Sequence, residues 1–235
     1  MSTIRTKLAA AGLIAWAVGG LAAAPPLADA KNAVIRGWGR VVEPDRDCEV
    51  ALKDGALGIK IPGKPHDFAA EVPSYNAPRV MREIQGDFIA EVVVGGSMDP
   101  GETSLEPKSW PYHGAGLMVV KDPNNYVTAH RASAFVNGKI RHFANFELRR
   151  GGRLAISHSS NDIPPDQDLH LRLERRGKTF YHAMSPDGIH WSSYEPIELE
   201  LPPAAQLGVA AVNTSNRPLA VRFRDLKVFP RSRLD

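Results

Sequence analysis

The spacing of apolar residues constrains this chain most. From residue 31 onward they come in short runs, mostly of five to eight residues, broken by clusters of Gly, Pro, Asn and Asp, with no helical period between them. The runs fall at 57–61, 87–94, 116–120, 126–131, 143–148, 169–173, 179–184, 207–212 and 219–228. Several alternate strictly: Leu169, Leu171 and Leu173 share one face of an extended strand, and His170, Arg172 and Glu174 share the other. The run 116–120 is apolar on both faces, which predicts a central strand covered twice. Turn sequences at 122–125, 175–178 and 185–188 join neighbouring runs as antiparallel hairpins. Nine or more short strands without helical crossovers predict an all-β, two-sheet antiparallel sandwich. The longest irregular stretch, 97–112, holds Pro100, Gly101, Pro107 and Pro111 and is expected to loop over one rim.

Residues 1–30 stand apart. Arg5 and Lys7 precede an uncharged apolar stretch at 8–24, and Ala28-Asp29-Ala30 has the small-x-small form of a signal-peptidase site. This predicts a signal peptide over 1–30, with one domain at 31–235 that is secreted or periplasmic. An uncleaved membrane anchor is the other reading of the stretch, and Pro25 and Pro26 favour cleavage. No later window holds 18 uncharged apolar residues, so no membrane insertion is expected after cleavage. Lys and Arg number 29 against 26 Asp and Glu, a surplus of +3 that is evenly spread and forms no basic stripe for nucleic acid. The one cysteine, Cys48, has no partner for an intrachain disulfide and no second thiol or clustered histidine at zinc spacing, so it reads as a small buried residue.

A set of short segments carries a family resemblance. They are 76–80 with 86–88, 114–117 with Asp122 and Asn125-Tyr126, 171–177, 185–188 with Trp191, and 209–211 before 221–223. In this order and spacing they resemble a bacterial extracytoplasmic domain family of unknown function within the concanavalin A-like lectin/glucanase superfamily. That family is similar to accessory domains of β-xylosidase-type glycoside hydrolases. The resemblance runs from about Trp38 to Phe229 and implies a jelly-roll fold and a carbohydrate-linked role, without assigning a reaction.

Catalytic and metal motifs are mostly lacking. The carboxylate pattern of jelly-roll glucanases does not occur; Glu195, Glu198 and Glu200 come nearest, and Pro196 marks their segment as a sheet edge. His130, His170 and His182 can share a face, but no histidine pair has zinc spacing, and no metal or cofactor is expected. Asp162, Asp166 and Asp168 leave a calcium ion open, though Pro164 and Pro165 interrupt any calcium-loop spacing. Asn213-Thr214-Ser215 matches the glycosylation sequon. The segment 185–191 is close to the sialidase Asp-box and reads as a turn with Trp191 as its packing lid.

The expected function is an exported, non-catalytic carbohydrate- or glycoconjugate-binding sandwich. Its alternatives are a glycoside hydrolase or lyase with an unrecognised carboxylate site, tested by whether Glu147 has a second carboxylate in a groove, and an envelope protein–protein interaction domain. Alternation places Tyr126, His130, Asn145, Glu147 and Arg172 on one polar sheet surface, with Trp110 and His113 from the long loop at its rim. Arg172 is expected to donate a bidentate pair, Asn145 and Glu147 to bracket vicinal hydroxyls, and Tyr126 or Trp110 to stack on a sugar face.

Overall fold

Strand pairing, all of it antiparallel, sorts the chain into two sheets. A computed structural model describes residues 33–69, 71–72, 75–107 and 109–231; the expected signal segment lies outside them. In chain order the strands are β1 (Val34–Ile35), β2 (Gly39–Val42), β3 (Glu49–Lys53), β4 (Ala56–Ile61), β5 (Arg79–Gln85), β6 (Asp87–Gly95), β7 (Tyr112–Asp122) and β8 (Asn125–Val136). They continue as β9 (Lys139–Arg150), β10 (Arg153–Ser159), β11 (Leu169–Arg176), β12 (Thr179–Ser185), β13 (Ser192–Ser193), β14 (Ile197–Glu198), β15 (Ala204–Asn213) and β16 (Leu219–Arg231). The first sheet has the order β1-β2-β5-β15-β7-β8-β9-β10. The second runs β13-β12-β11-β6-β16-β4-β3, with β14 also beside β12.

The alternating residues meet between the sheets. Leu117, Val119, Val127, Ala129, Phe146, Leu148, Leu207 and Val209 of the first sheet join Leu57, Ile59, Phe88, Val92, Leu169, Leu171, Leu173, Phe180, Val221 and Phe223 of the second in one core. Burying a side chain of this size is worth about 1.5–3 kcal/mol, so this layer is the main stabilising feature. The three hairpin turns sit where the turn residues put them, with Gly177 and Gly188 at positive φ.

The first sheet is covered on its outer face as well. Met118, Tyr126, Ala210 and Val212 form a second apolar cluster with Phe68 and Ala77, which come from the segment linking β4 to β5. The Tyr126 hydroxyl donates to the Phe68 carbonyl at 2.9 Å, and the backbones of His66 and Asn213 exchange two hydrogen bonds. Strand β7 is therefore covered twice, as its sequence predicts. Asn213 itself is buried, and its amide donates to the carbonyls of Pro62 at 2.9 Å and Arg217 at 2.8 Å, so the folded chain does not offer the sequon.

Candidate functional site

The register of β8 against β9 builds a polar strip on the outer face of the first sheet. Tyr126 stands opposite Arg149, Thr128 opposite Glu147, and His130 opposite Asn145. On the other side of β9, Ser157 faces Glu147 and Ser159 faces Asn145. The residues between them, Val127, Ala129, Phe146 and Leu148, point into the core, which fixes the polar set outward. A groove of about 160 Å³ lies over this strip, lined by Asp67 and Phe68 of the β4–β5 segment and by Ser109 and Trp110 of the loop before β7. Tyr112, Tyr126, Thr128, His130, Glu147 and Arg149 line it.

Hydrogen bonds hold the polar groups in place. The hydroxyls of Ser157 and Ser159 donate to Asn145 Oδ1, each at 3.3 Å, and Asn145 Nδ2 donates to Glu147 Oε1 at 2.9 Å. Glu147 Oε2 accepts from Arg149 Nη2 at 3.2 Å, and Arg149 also pairs with Glu71, whose other oxygen accepts the Leu154 N–H at 2.8 Å. The Tyr112 phenol hydrogen-bonds with Asn145, and burial holds it in its protonated form.

Two titratable groups are displaced from their ordinary ranges. Asp67 Oδ1 accepts the N–H groups of Phe68 at 2.7 Å and Ala69 at 3.0 Å. Burial nevertheless raises its pKa to about 6, with the Glu147 charge adding and the Arg149 charge opposing. Burial also lowers His130 to about 3, so the ring is neutral, and its Nε2 is buried with no hydrogen-bond partner. At the rim, the Trp110 indole is 64% exposed while its carbonyl accepts the Thr214 hydroxyl at 2.9 Å, so a fixed backbone carries an open aromatic face.

Tyr126, His130 and Glu147 meet in this groove as alternation predicts, Trp110 joins them from the loop before β7, and Asn145 holds Glu147 from beside it. Tyr126 does not offer a stacking surface. Phe68 packs edge-on against it, with ring centroids 5.4 Å apart, so the open ring is Trp110. His113 and Arg172 are corrections. Along β7 it is Tyr112 that faces the groove, whereas His113 points inward and bonds Ser215 Oγ at 3.1 Å. Arg172 lies on β11 of the second sheet, on the far side of the core, where it pairs with Glu91 at 2.7 Å and covers Trp191 at 3.9 Å. Alternation shows that a residue faces outward but not from which sheet. His130, His182 and His170 accordingly lie in three layers: the outer face of the first sheet, the interior, and the outer face of the second.

Sequence reasoning missed Asp67, Tyr112 and Arg149. Arg149 was within reach of the alternation rule, one pleat beyond Glu147. Asp67 sits in an irregular segment where no period applies. Of the 162–168 carboxylates, Asp162 pairs with Arg141 at 2.6 Å and Asp168 with Arg224.

Solved structures share this architecture. A functionally unknown protein from Saccharomyces cerevisiae aligns with TM-score 0.65 and 19% identity over 83% of this chain and 97% of its own. A GH43 protein from Bacillus licheniformis aligns with TM-score 0.57 and 14% identity over 85% of this chain and 38% of its own. A legume lectin-like domain from Entamoeba histolytica gives 0.51 and 13% over 82% and 89%. The fold is a concanavalin A-like jelly roll. No protein-family model and no curated protein matches the sequence. In this jelly roll the groove lies on the first sheet, and the β4–β5 segment and the loop before β7 both contribute to its lining.

Proposed function

We propose that this is an exported, non-catalytic jelly roll that binds a carbohydrate or glycoconjugate in the groove over β8 and β9. One observation carries the reading: a pre-bonded row of Asn145, Glu147 and Arg149 lies beside the open indole of Trp110. A sugar offers hydroxyls that both donate and accept on its edge and C–H groups on its face. Glu147 supplies acceptors, Arg149 donors, and Trp110 the stacking surface. Because the side chains are already tied to one another, little ordering entropy is lost on binding. The cavity is smaller than the ~300–1,000 Å³ of pockets for drug-sized ligands, which suits one or two sugar rings. The lectin-like neighbour supports a binding role, and the 1–30 segment supports export.

A glycan-array screen of the purified protein tests this. The expected result is retention of a defined glycan set, weakened at least tenfold by Glu147→Gln and by Trp110→Ala, and unchanged by Arg172→Ala. Retention of nothing by the parent, or binding that survives both groove substitutions, overturns the reading.

A catalytic reading draws on the second carboxylate. Asp67, raised to about 6, shares the groove with Glu147, which is paired to Arg149. Unequal environments for two carboxyls are the arrangement of an acid and its ionised partner in glycoside hydrolysis. Release of reducing ends or unsaturated products from a polysaccharide panel, lost in Asp67→Asn and in Glu147→Gln, would establish it over simple binding.

A further inference from the structure

The sequence offers no zinc spacing around Cys48, yet the fold brings Cys48 and His66 together. His66 lies on the β4–β5 segment, and Glu43, Asp47 and Cys48 lie on the β2–β3 loop. One ligand atom from each of these four residues falls within 4.8 Å of all the others. No other such grouping of His, Cys, Asp and Glu occurs among the described residues. We propose that Glu43, Asp47, Cys48 and His66 bind a zinc-type divalent cation, which clamps the β2–β3 loop to the wall of the groove.

The hydrogen bonds of His66 suit a cation at this place. Its ring is 1% exposed, with Nδ1 3.1 Å from the Lys64 carbonyl and Nε2 2.8 Å from Asp47 Oδ1. Both partners accept only, and a neutral imidazole has one N–H to give. With the proton on Nδ1, the Nε2 lone pair faces a carboxylate oxygen, an arrangement that needs a positive species at that place. A second proton would answer for Asp47 alone. The Cys48 thiol, its Sγ 3.7 Å from that Asp47 oxygen, and Glu43, whose Oε1 accepts the N–H groups of Asp47 at 3.2 Å and Cys48 at 3.4 Å, converge on the same point.

A metal ion accounts for all four groups. Tetrahedral zinc bonds of ~2.0–2.3 Å place neighbouring donor atoms roughly 3.3–3.8 Å apart, so small side-chain adjustments suffice from the spacing present. The sulfur and nitrogen donors select zinc or another late transition metal over calcium or magnesium. The Lys64 carbonyl fixes the tautomer that leaves Nε2 free, the usual outer-shell support of a ligating histidine. Two carboxylates and a thiolate carry three negative charges against two from the metal, and Lys64 Nζ, 3.0 Å from Asp47 Oδ2, offsets the remainder. On binding, the metal–sulfur and metal–nitrogen bonds form as the Cys48 thiol proton and any second His66 proton pass to solvent. No oxidant or reductant takes part. The clamp sits one residue from Asp67, and Asn76 Nδ2 already ties the same loop through Asp45 Oδ2 at 2.7 Å.

The test uses untagged protein stripped with a chelator and titrated with cobalt(II), then zinc. One equivalent of cobalt should give intense tetrahedral d–d bands and a thiolate-to-cobalt charge-transfer band, both erased by zinc. Cys48→Ser should lose the charge-transfer band, and His66→Gln should weaken binding at least tenfold with an unchanged β circular dichroism spectrum. If His66→Gln does not fold, the parent spectrum and Cys48→Ser still decide. Absence of stoichiometric binding, a weak octahedral cobalt spectrum without the thiolate band, or a Cys48→Ser spectrum identical to the parent would each overturn the site.

Discussion

Asp67 accepts two backbone N–H groups and still titrates near 6, because its place in the groove withholds water from it and Glu147 adds a like charge. An acid raised above its ordinary value of 3.8 binds its proton earlier in the folded state than in the unfolded one. Its stabilising contribution is therefore present below about pH 4 and disappears as pH rises through about 6. Asp67→Asn keeps an oxygen for the two N–H groups and removes the charge. It should raise the urea-unfolding free energy by about 1–2 kcal/mol at pH 7 and leave it unchanged at pH 4. A gain of the same size at both pH values would show that charge is not the cause. His130 is the opposite case, a base held neutral by burial, with a buried ring nitrogen that no protein group meets.

Strand β7 shows what the sequence could and could not disclose. Its two apolar faces, Leu117 and Val119 inward and Met118 and Val120 outward, were legible from period alone, and both are covered. The hairpins at 122–125 and 175–178 and the inward leucines of β11 were legible for the same local reasons. Sheet membership was not, because β6 and β15 pair with strands far away in sequence, and this misplaced Arg172. The β4–β5 segment was illegible too: Phe68 and Asp67 have no periodic neighbours to say what they cover. Gly116 adds a feature visible only in three dimensions. A Cβ there would stand 1.9 Å from the Ala129 carbonyl oxygen and 2.8 Å from His130 Cα, so β7 and β8 approach more closely than any side chain allows. Gly116→Ala should cost about 2–3 kcal/mol, the upper part of the range for overpacking, and lower Tm by several degrees in a thermal melt. It should also weaken glycan retention, since His130 is the strand neighbour displaced.

Among the described residues, burial lowers His142 and holds three further histidines well below their ordinary range: His113 at about 4, His130 at about 3 and His182 at about 4. Each value lies below the ordinary 6.5, so as pH falls the unfolded chain takes up these protons first. Their contribution is complete above about pH 6.5 and is lost on acidification toward 4, at about 1.4 kcal/mol per pH unit for each ring. Asp67 opposes this by one group over part of the same range. Calorimetric Tm should be flat near pH 7–8 and fall steeply between pH 6 and 4.5; a Tm that holds constant down to 4.5 would mean that these rings are not closed off from protons. The strand order carries one more consequence, for the timing of folding. Strand β15 lies between β5 and β7, and β16 lies between β6 and β4, so the middle of both sheets comes from residues 204–231. A ribosome that has delivered β1 to β14 has made four part-sheets, two from each sheet, with open inner edges and a core missing Leu207, Val209, Val221 and Phe223. The nascent chain must be shielded from edge-to-edge association until its last strands arrive, and only then can both sheets close together.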